Sequence, residues 1–306
     1  MKAPDWGTDW GRTEFAGQNE MRVLAVGGAT LDIVNSVAAY PEEDDELRAL
    51  SHHRSRGGNA ANTLVVLSQL GHQCSWAGML GDDAASMYIL DDLRRNGVDT
   101  EWVTVHPGGA APTSYVISSR ASGSRTIVHY RDLPEYGYAA FEKIDLSGYD
   151  WVHIEGREVS VCAQILRHAR AVAQSTMLSV ELEKPRKDIE RLIGLADFVM
   201  LSRSYASAHG YRNAQQLFDG VRPYSASAML FAAWGEAGAW LQGADGRSCH
   251  APAFHPPAVV DTLGAGDVFN AGLIDALLAG EEPELALNRA VHLAGEKCGR
   301  RGLRIA

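Results

Sequence analysis

Cysteine is scarce in this chain: four residues in 306, Cys74, Cys162, Cys249 and Cys298, with no C-x-x-C pair and no Cys/His cluster. That scatter excludes a disulfide framework and a cysteine-ligated zinc site, and isolated thiols suit a reducing compartment. No apolar run reaches the ~20 residues that a helix needs to cross a bilayer, and the first residues lack the basic and apolar regions of a secretion signal. A cytoplasmic protein without a membrane partner is expected. Positive charge is also short, with 28 Lys and Arg against 38 Asp and Glu, a formal net charge of -10. Such a surface repels polyanions and argues against nucleic acid as a partner. A small anionic ligand would need a local device. Two nucleotide signatures are missing as well. There is no G-x-x-x-x-G-K-[ST] run, and Gly264-Ala265-Gly266 continues to Phe269 where a dinucleotide fingerprint requires a third glycine. An oxidoreductase is left with fold analogy alone.

What is present is enough apolar sequence, 46% of the chain, to bury a sizeable core. Residues 1–20 show no apolar periodicity and are expected to form a flexible extension; residues 21–306 then make one domain. Within it, short apolar runs recur at Arg22 to Gly28, Cys74 to Leu80, Trp151 to Gly156, Thr176 to Glu183, Asp197 to Ser202 and Ala228 to Trp234. Runs apolar for most of their length suit strands covered on both faces. Helical segments alternate with them: Ala60 to Leu70, Ala84 to Asn96, Val159 to Ala173, Arg186 to Leu195, Ala214 to Val221, Ala265 to Ala279 and Pro283 to Cys298. The alternation predicts an α/β fold, a mostly parallel sheet with helices on both faces. Two stretches break the rhythm: Glu46 to Arg54, and Thr113 to Ser119 with Arg125 to Tyr130, which are joined by a Ser-Gly turn. They predict a small β lid whose open face must be covered by ligand, lid movement or another subunit.

The segment richest in chemistry is VDTLGAGDVFNAGLIDALL, Val260 to Leu278. Gly264, Ala265 and Gly266 lead directly into a helix that is apolar on nearly all sides. Backbone N–H groups at such a helix start lack partners and carry the positive end of the helix dipole, which makes an anion hole. Asp267 lies in the first turn. A carboxylate beside an anion hole is what phosphoryl transfer to a hydroxyl requires, since Asp267 can accept the proton while the donors hold the developing charge. Taken alone, the same run also serves as an ordinary capped helix start.

A second constellation lies early: Asp32 after the first strand, Asp44 in the following loop, and RGGNAANTLVVLSQLG from Arg56 to Gly71. Gly57 and Gly58 allow close approach of backbone to a ligand, and Asn59 and Asn62 fall on one helix face. Asn amides and Asp carboxylates match the hydroxyls of a polyol. The plainer reading makes Asn59 a helix cap and Asn62 a surface residue.

GGNAANTLVVLSQLG and DTLGAGDVFNAG together resemble the N- and C-terminal motifs of the PfkB, or ribokinase, family of sugar kinases, in the family's order. LDIVNSVAAYPEEDDELRALS, SGSRTI, WVHIEGR, SVELEKPR, AWGEAGA and EKCGRRG resemble that family's fructose 1-kinase branch, over about Val23 to Gly302. The resemblance implies a ribokinase-like fold and ATP-dependent phosphorylation of a ketose hydroxyl. D-fructose is the leading acceptor; another sugar, a nucleoside, or a non-catalytic sensor on the same fold are the alternatives.

By the same resemblance Asp267 stands in the place of the catalytic base and Gly264, Ala265 and Gly266 in that of the anion hole. Asp32, Gly58, Asn59 and Asn62 match sugar-contacting positions. Asp44 matches a lid residue that approaches the sugar, from its own or a neighbouring subunit, which implies a homodimer through the lid. Arg125, Arg203, Gly235, Gly238, Gly266, Asn270 and Cys298 fall on the side of ATP. Asp261 and Thr262 fall where a monovalent cation, K⁺, is bound. Arg203-Ser204-Tyr205-Ala206 replaces the N-x-x-E motif with which many members organise Mg²⁺, so Arg203 keeps charge without the geometry. Glu181 and Glu183 could hold water around Mg²⁺, or pair with Lys184 or Arg186. Outside the resemblance, Arg125 is one solvated charge among many, Gly235 to Ala239 a β-turn, Cys298 core, and Asp261-Thr262 a turn before a helix.

Overall fold

The computed structural model describes residues 20–305, so the expected N-terminal extension lies, but for Glu20, outside the described residues. The chain begins with β1 (Arg22–Val26), then turns at Gly27-Gly28 into β2 (Thr30–Val37) and returns through β3 (Ser51–Gly57) to α1 (Asn59–Gln69). β4 (Gln73–Ala77), β5 (Met79–Leu80), α2 (Ala84–Arg95), β6 (Val98–Asp99) and β7 (Thr104–Val105) follow, and β8 (Thr113–Ser119) and β9 (Arg125–Tyr130) form a hairpin. A short α3 (Tyr138–Phe141) leads to β10 (Trp151–Glu155), α4 (Val159–Val172), β11 (Met177–Leu182), β12 (Phe198–Ser202), α5 (Arg203–Ala208), α6 (Ala214–Val221) and β13 (Met229–Ala233). The chain closes with β14 (Ala239–Gln242), β15 (Ser248–Ala251), α7 (Ala265–Leu278) and α8 (Pro283–Cys298).

Nine strands form the main sheet in the order β15-β14-β13-β12-β11-β10-β1-β4-β6. From β6 to β13 neighbours pair in parallel, and β14 and β15 add an antiparallel edge. The expected α/β architecture with helices on both faces is therefore present. One face is covered by α1, α2, α7 and α8 around Leu64, Leu67, Trp76, Phe231 and Ile274, the other by α3 to α6 around Phe141, Leu166, Val180, Tyr205 and Phe218. Central strands with both faces covered bury alternate residues in opposite layers, which is why β1 reads as an unbroken apolar run: Val23 and Ala25 face one core, Leu24 and Val26 the other. α7 is buried from Asp267 to Leu277, between α1 and α8, as its all-round apolarity predicts.

Four strands, β3-β2-β8-β9, make the second sheet, the lid. Here the sequence reading needs correction. Glu46 to Leu50 is not strand; β3 starts at Ser51, and β2, which the sequence pattern assigns to no element, is a central lid strand whose polar and apolar residues do not alternate strictly, Ile33-Val34 and Asn35-Ser36 standing side by side. The expected helix Arg186 to Leu195 is a 3₁₀ stretch confined to Ile189–Leu195. Pro185 upstream cannot donate a helical hydrogen bond, and Asp188 sits at φ +63, so no helical turn can run through it. Among the described residues no helix is long and apolar enough to cross a membrane.

Candidate active site

Parallel strands that share direction put their carboxyl ends on one edge, where loops leave the sheet and a ligand can enter. At that edge the chain places Gly27-Gly28 after β1, Glu155 at the end of β10, Glu181 and Glu183 at the end of β11, Arg203 after β12 and Gly235 after β13. The N-terminus of α7 opens on the same edge. Gly264 stands at φ +80, a left-handed conformation that needs glycine, and caps the helix through its backbone. The Ala265 N–H turns back to the Thr262 carbonyl (3.3 Å), so it is not the donor that the sequence suggested. The N–H groups of Gly266 and Asp267 take no protein acceptor among the described residues and remain for a ligand.

Asp267 is buried, and its carboxylate is held from α1. The Asn62 amide donates through Nδ2 to Asp267 Oδ2 (2.6 Å), while its own carbonyl accepts from Arg56 Nη1. Arg56 in turn donates through Nε to Asp92 Oδ2 of α2 (2.8 Å). Asn62 is therefore turned onto Asp267, and Arg56, which sequence reasoning passed over, fixes its amide. Asn59 does not cap its helix: Gly58 does so, at φ +106, with a Cβ position that would overlap the Gly28 carbonyl. The Asn59 amide instead donates to Glu181 Oε2 (3.1 Å). The adjacent Glu155 accepts from the Gly28 N–H and from Arg157, each at 2.9 Å.

Asp267 and Glu181 both hold their protons to higher pH than an ordinary carboxylate. Burial pushes Asp267 up to about 7, Glu183 and Glu155 add to the rise, and Asn62 and Arg56 oppose it. Burial, followed by the charges of Asp267 and Glu155, raises Glu181 well above the usual carboxylate range, with Asn59 opposing. The short Asn62 hydrogen bond favours the ionised form at Asp267, so of the two Glu181 is the one that keeps its proton. Asp267 is thereby kept as a base in the middle of the physiological range.

The lid supplies a polar inner face. Asp32 of β2 is paired with Ser114 of β8, and Ser114 with His129 of β9, so the three side chains lie in one row; Ser114 Oγ and His129 Nδ1 share a hydrogen bond of 3.1 Å. Asp32 is nearly buried, accepts from Thr30 Oγ1 (2.9 Å) and lies against Gly57, whose Cβ position its carboxylate would fill. Arg125, on the same face of β9, reaches the start of α7 and donates to Thr262 Oγ1 (3.3 Å). Asp44 is not brought to this site. It sits exposed at φ +66 in the turn beyond the outer end of β2 and β3, roughly 15 Å of strand from Asp32.

On the opposite side of the mouth, Asn270 is buried in α7 with its amide nitrogen unpartnered, Cys298 is half-buried at the end of α8, and α8 lies along β14 and β15 behind the Gly235 to Gly238 turn. Arg203, the first residue of α5, is exposed at the same edge. Cys298 also closes the loop before α7: its carbonyl accepts from the N–H groups of Val260 (2.7 Å) and Asp261 (3.2 Å). Asp261 is held by Lys297, whose ammonium donates to the Asp261 carbonyl (2.7 Å) and pairs with its Oδ2 (3.2 Å). Burial lowers Lys297 and Asp261 counters it. Among the described residues no three His, Cys, Asp or Glu side chains converge closely enough to hold a bare metal ion. Glu155 is paired with Arg157 (2.9 Å) and Glu183 with Lys184 (3.8 Å), whereas among the described residues the Glu181 carboxylate accepts only from the neutral Asn59 amide and is the one best placed to hold a hydrated Mg²⁺ carried in with a polyphosphate.

Residues 21–306 match the model of the pfkB family carbohydrate kinases. The chain is 40% identical over 293 residues to ketohexokinase from Mus musculus, covering 92% of this chain and 98% of that protein. It is 26% identical to ribokinase from Bacillus subtilis, over 92% and 94% of the two chains. Among solved structures, ribokinase of Arabidopsis thaliana complexed with ribose and ATP superposes with a TM-score of 0.76 at 18% identity, over 93% and 94% of the two chains. A buried carboxylate at a glycine-capped helix mouth, a lid over it, and these likenesses lead to one statement: the chain belongs to the pfkB family of carbohydrate kinases.

Proposed function

We propose that this chain transfers the γ-phosphoryl group of ATP to a ketose, converting D-fructose to fructose 1-phosphate. The observation that carries the reading is Asp267: a buried carboxylate, tuned to titrate near 7, one residue from free N–H donors at a helix N-terminus. The ketose is favoured over ribose because the ketohexokinase likeness reaches 40% identity, against 26% for the ribokinase.

The sugar lies between the lid and α1, where Asp32, with Ser114 and His129 behind it, accepts from its hydroxyls. Its reacting hydroxyl gives a proton to Asp267 as its oxygen bonds to the γ-phosphorus and the bond from that phosphorus to the β–γ bridging oxygen breaks, releasing ADP. The N–H groups of Gly266 and Asp267 hold charge on the transferred group. Arg125 and Arg203 bring positive charge to the rim where the phosphates enter. Mg²⁺, bound through water by Glu181 and Glu183, would neutralise phosphate charge. Gly235, Gly238, Asn270 and Cys298 line the nucleotide side. The outer face of the lid carries Tyr115, Val128 and Tyr130, each at least half exposed, and a second copy of the chain covers it. We place the reaction in the cytoplasm, where ATP is available.

An ADP-release assay across fructose, tagatose, psicose, ribose, adenosine and fructose 6-phosphate tests this. Fructose should give the highest kcat/KM. Preference for ribose, adenosine or the phosphorylated sugar would replace the ketose reading by another family activity, and tight sugar binding without ADP release would make the chain a sensor.

A further inference from the structure

The family resemblance implies a monovalent cation at Asp261 and Thr262, and the residues present do not fit one. Each oxygen that these two residues could offer such an ion already accepts a hydrogen bond or an ion pair. The Asp261 carbonyl accepts from Lys297 Nζ; Asp261 Oδ2 takes the same ammonium and the Gly302 N–H (3.0 Å), and Oδ1 takes the Leu263 N–H (2.9 Å). Thr262 Oγ1 takes Arg125, and the Thr262 carbonyl takes the Ala265 N–H. A second cation here would stand beside an ammonium with no water between them, since the Lys297 side chain is fully buried.

We infer that the Lys297 ammonium is a tethered cation that organises the mouth of α7, so that this kinase needs no K⁺ or other monovalent metal ion. The inference rests on the phosphoryl-transfer reading above and deepens it. Lys297 projects from the last turn of α8, and the backbone of the same turn, through the Cys298 carbonyl, holds Val260 and Asp261. The loop from Val260 to Leu263 is thus clamped from one helix end by two backbone bonds and one charge. Directly after this loop, Gly264 sets the direction in which the Gly266 and Asp267 N–H groups point. An ammonium replaces a bare ion of the same charge at the carbonyl and carboxylate of Asp261, but its attachment to the chain makes occupancy independent of salt. Lys297 touches no reacting atom in this scheme. It is a positioning residue, acting through Asp261.

The test compares wild type, Lys297→Ala and Lys297→Met in tetramethylammonium chloride, NaCl, KCl and NH₄Cl at equal ionic strength. Turnover with fructose and MgATP and the melting temperature of the free protein are both read. Wild-type kcat and melting should be the same in all four salts. The variants should lose about 100-fold in kcat in tetramethylammonium, the scale of one lost electrostatic contribution to the transition state, with KM for fructose nearly unchanged. K⁺ or NH₄⁺, in saturable fashion, should restore at least about 10-fold and raise their melting temperature. A wild type that loses activity or melts lower without K⁺ overturns the inference, as do variants fully active in tetramethylammonium, or inactive variants rescued by no cation. Should the variants not fold, the wild-type salt series alone decides. Because melting needs no substrate, failure to phosphorylate any sugar would sink the proposed function while leaving this comparison readable.

Discussion

Asn62 and Asp267, 205 residues apart in the chain, are joined by a hydrogen bond of 2.6 Å in which the amide donates and the carboxylate accepts. Arg56 occupies the carbonyl of the same amide, so the NH₂ end cannot flip away. A neutral donor aimed at a buried carboxylate stabilises only its charged form. Asn62→Leu should therefore raise the pH at which Asp267 ionises by roughly one to two pH units, the equivalent of one hydrogen bond to a charged group. The acid limb of kcat/KM for fructose, followed from pH 5 to 9, reads this. An unmoved limb with lowered kcat would mean that Asn62 serves only packing.

The sign of the wild-type profile follows from the same carboxylate. Asp267 must be ionised to take the hydroxyl proton, and burial holds it near 7, so kcat/KM should fall as pH drops through that value and level off above it. Asp267→Asn has no base to titrate. It should bind fructose within a few-fold of wild type by calorimetry, lose roughly three or more orders of magnitude in kcat, and show no such limb.

Stability should respond in the opposite direction. Asp267 and Glu181 ionise at higher pH in the folded chain than in the unfolded one, so the folded state binds more protons between the ordinary carboxylate range and about 7. Stability of the free protein then declines as pH rises through that window. Glu181→Gln removes one of the mutually repelling charges. It should melt higher than wild type at pH 8, with the difference shrinking toward pH 5; equal melting at both would show that Glu181 carries no charge-dependent cost.

The difference between what was and was not legible in the sequence has a physical pattern. α7 and its glycine mouth were readable because a helix apolar on all sides can only be buried, and because glycine before Asp267 fixes where donors point. The role of Asn62 was not, since spacing shows which helix face an amide occupies but not which end of it faces a carboxylate. Arg56 looked like any basic residue until burial put it between Asp92 and Asn62. Ser114 and His129 join Asp32 only through the register of β2, β8 and β9, which alternation does not determine across parallel neighbours. Asp44 was placed by resemblance, and the length of β2 carries it away from its own chain's site. Lys297 meets Asp261 across 36 residues, and nothing in EKCGRRG announces that its ammonium would be buried.

The distance of Asp44 bears on assembly. An exposed apolar sheet face and an acidic turn at the tip of β2 and β3 belong to the same lid, and stacking two lids on that face would bury Tyr115, Val128 and Tyr130 while bringing the tip of each toward the other copy. Charge placed in the middle of the face should prevent this, because burying an unpaired ammonium costs more than the apolar area returns. Wild type is expected to sediment as a dimer, and Val128→Lys as a monomer at the same concentration. Val128 points away from Asp32 and Arg125, so the variant should keep its fold by circular dichroism. If Asp44 serves the partner's sugar, KM for fructose rises in the variant; if KM is unchanged in a true monomer, each lid works alone and Asp44 contributes nothing to either site.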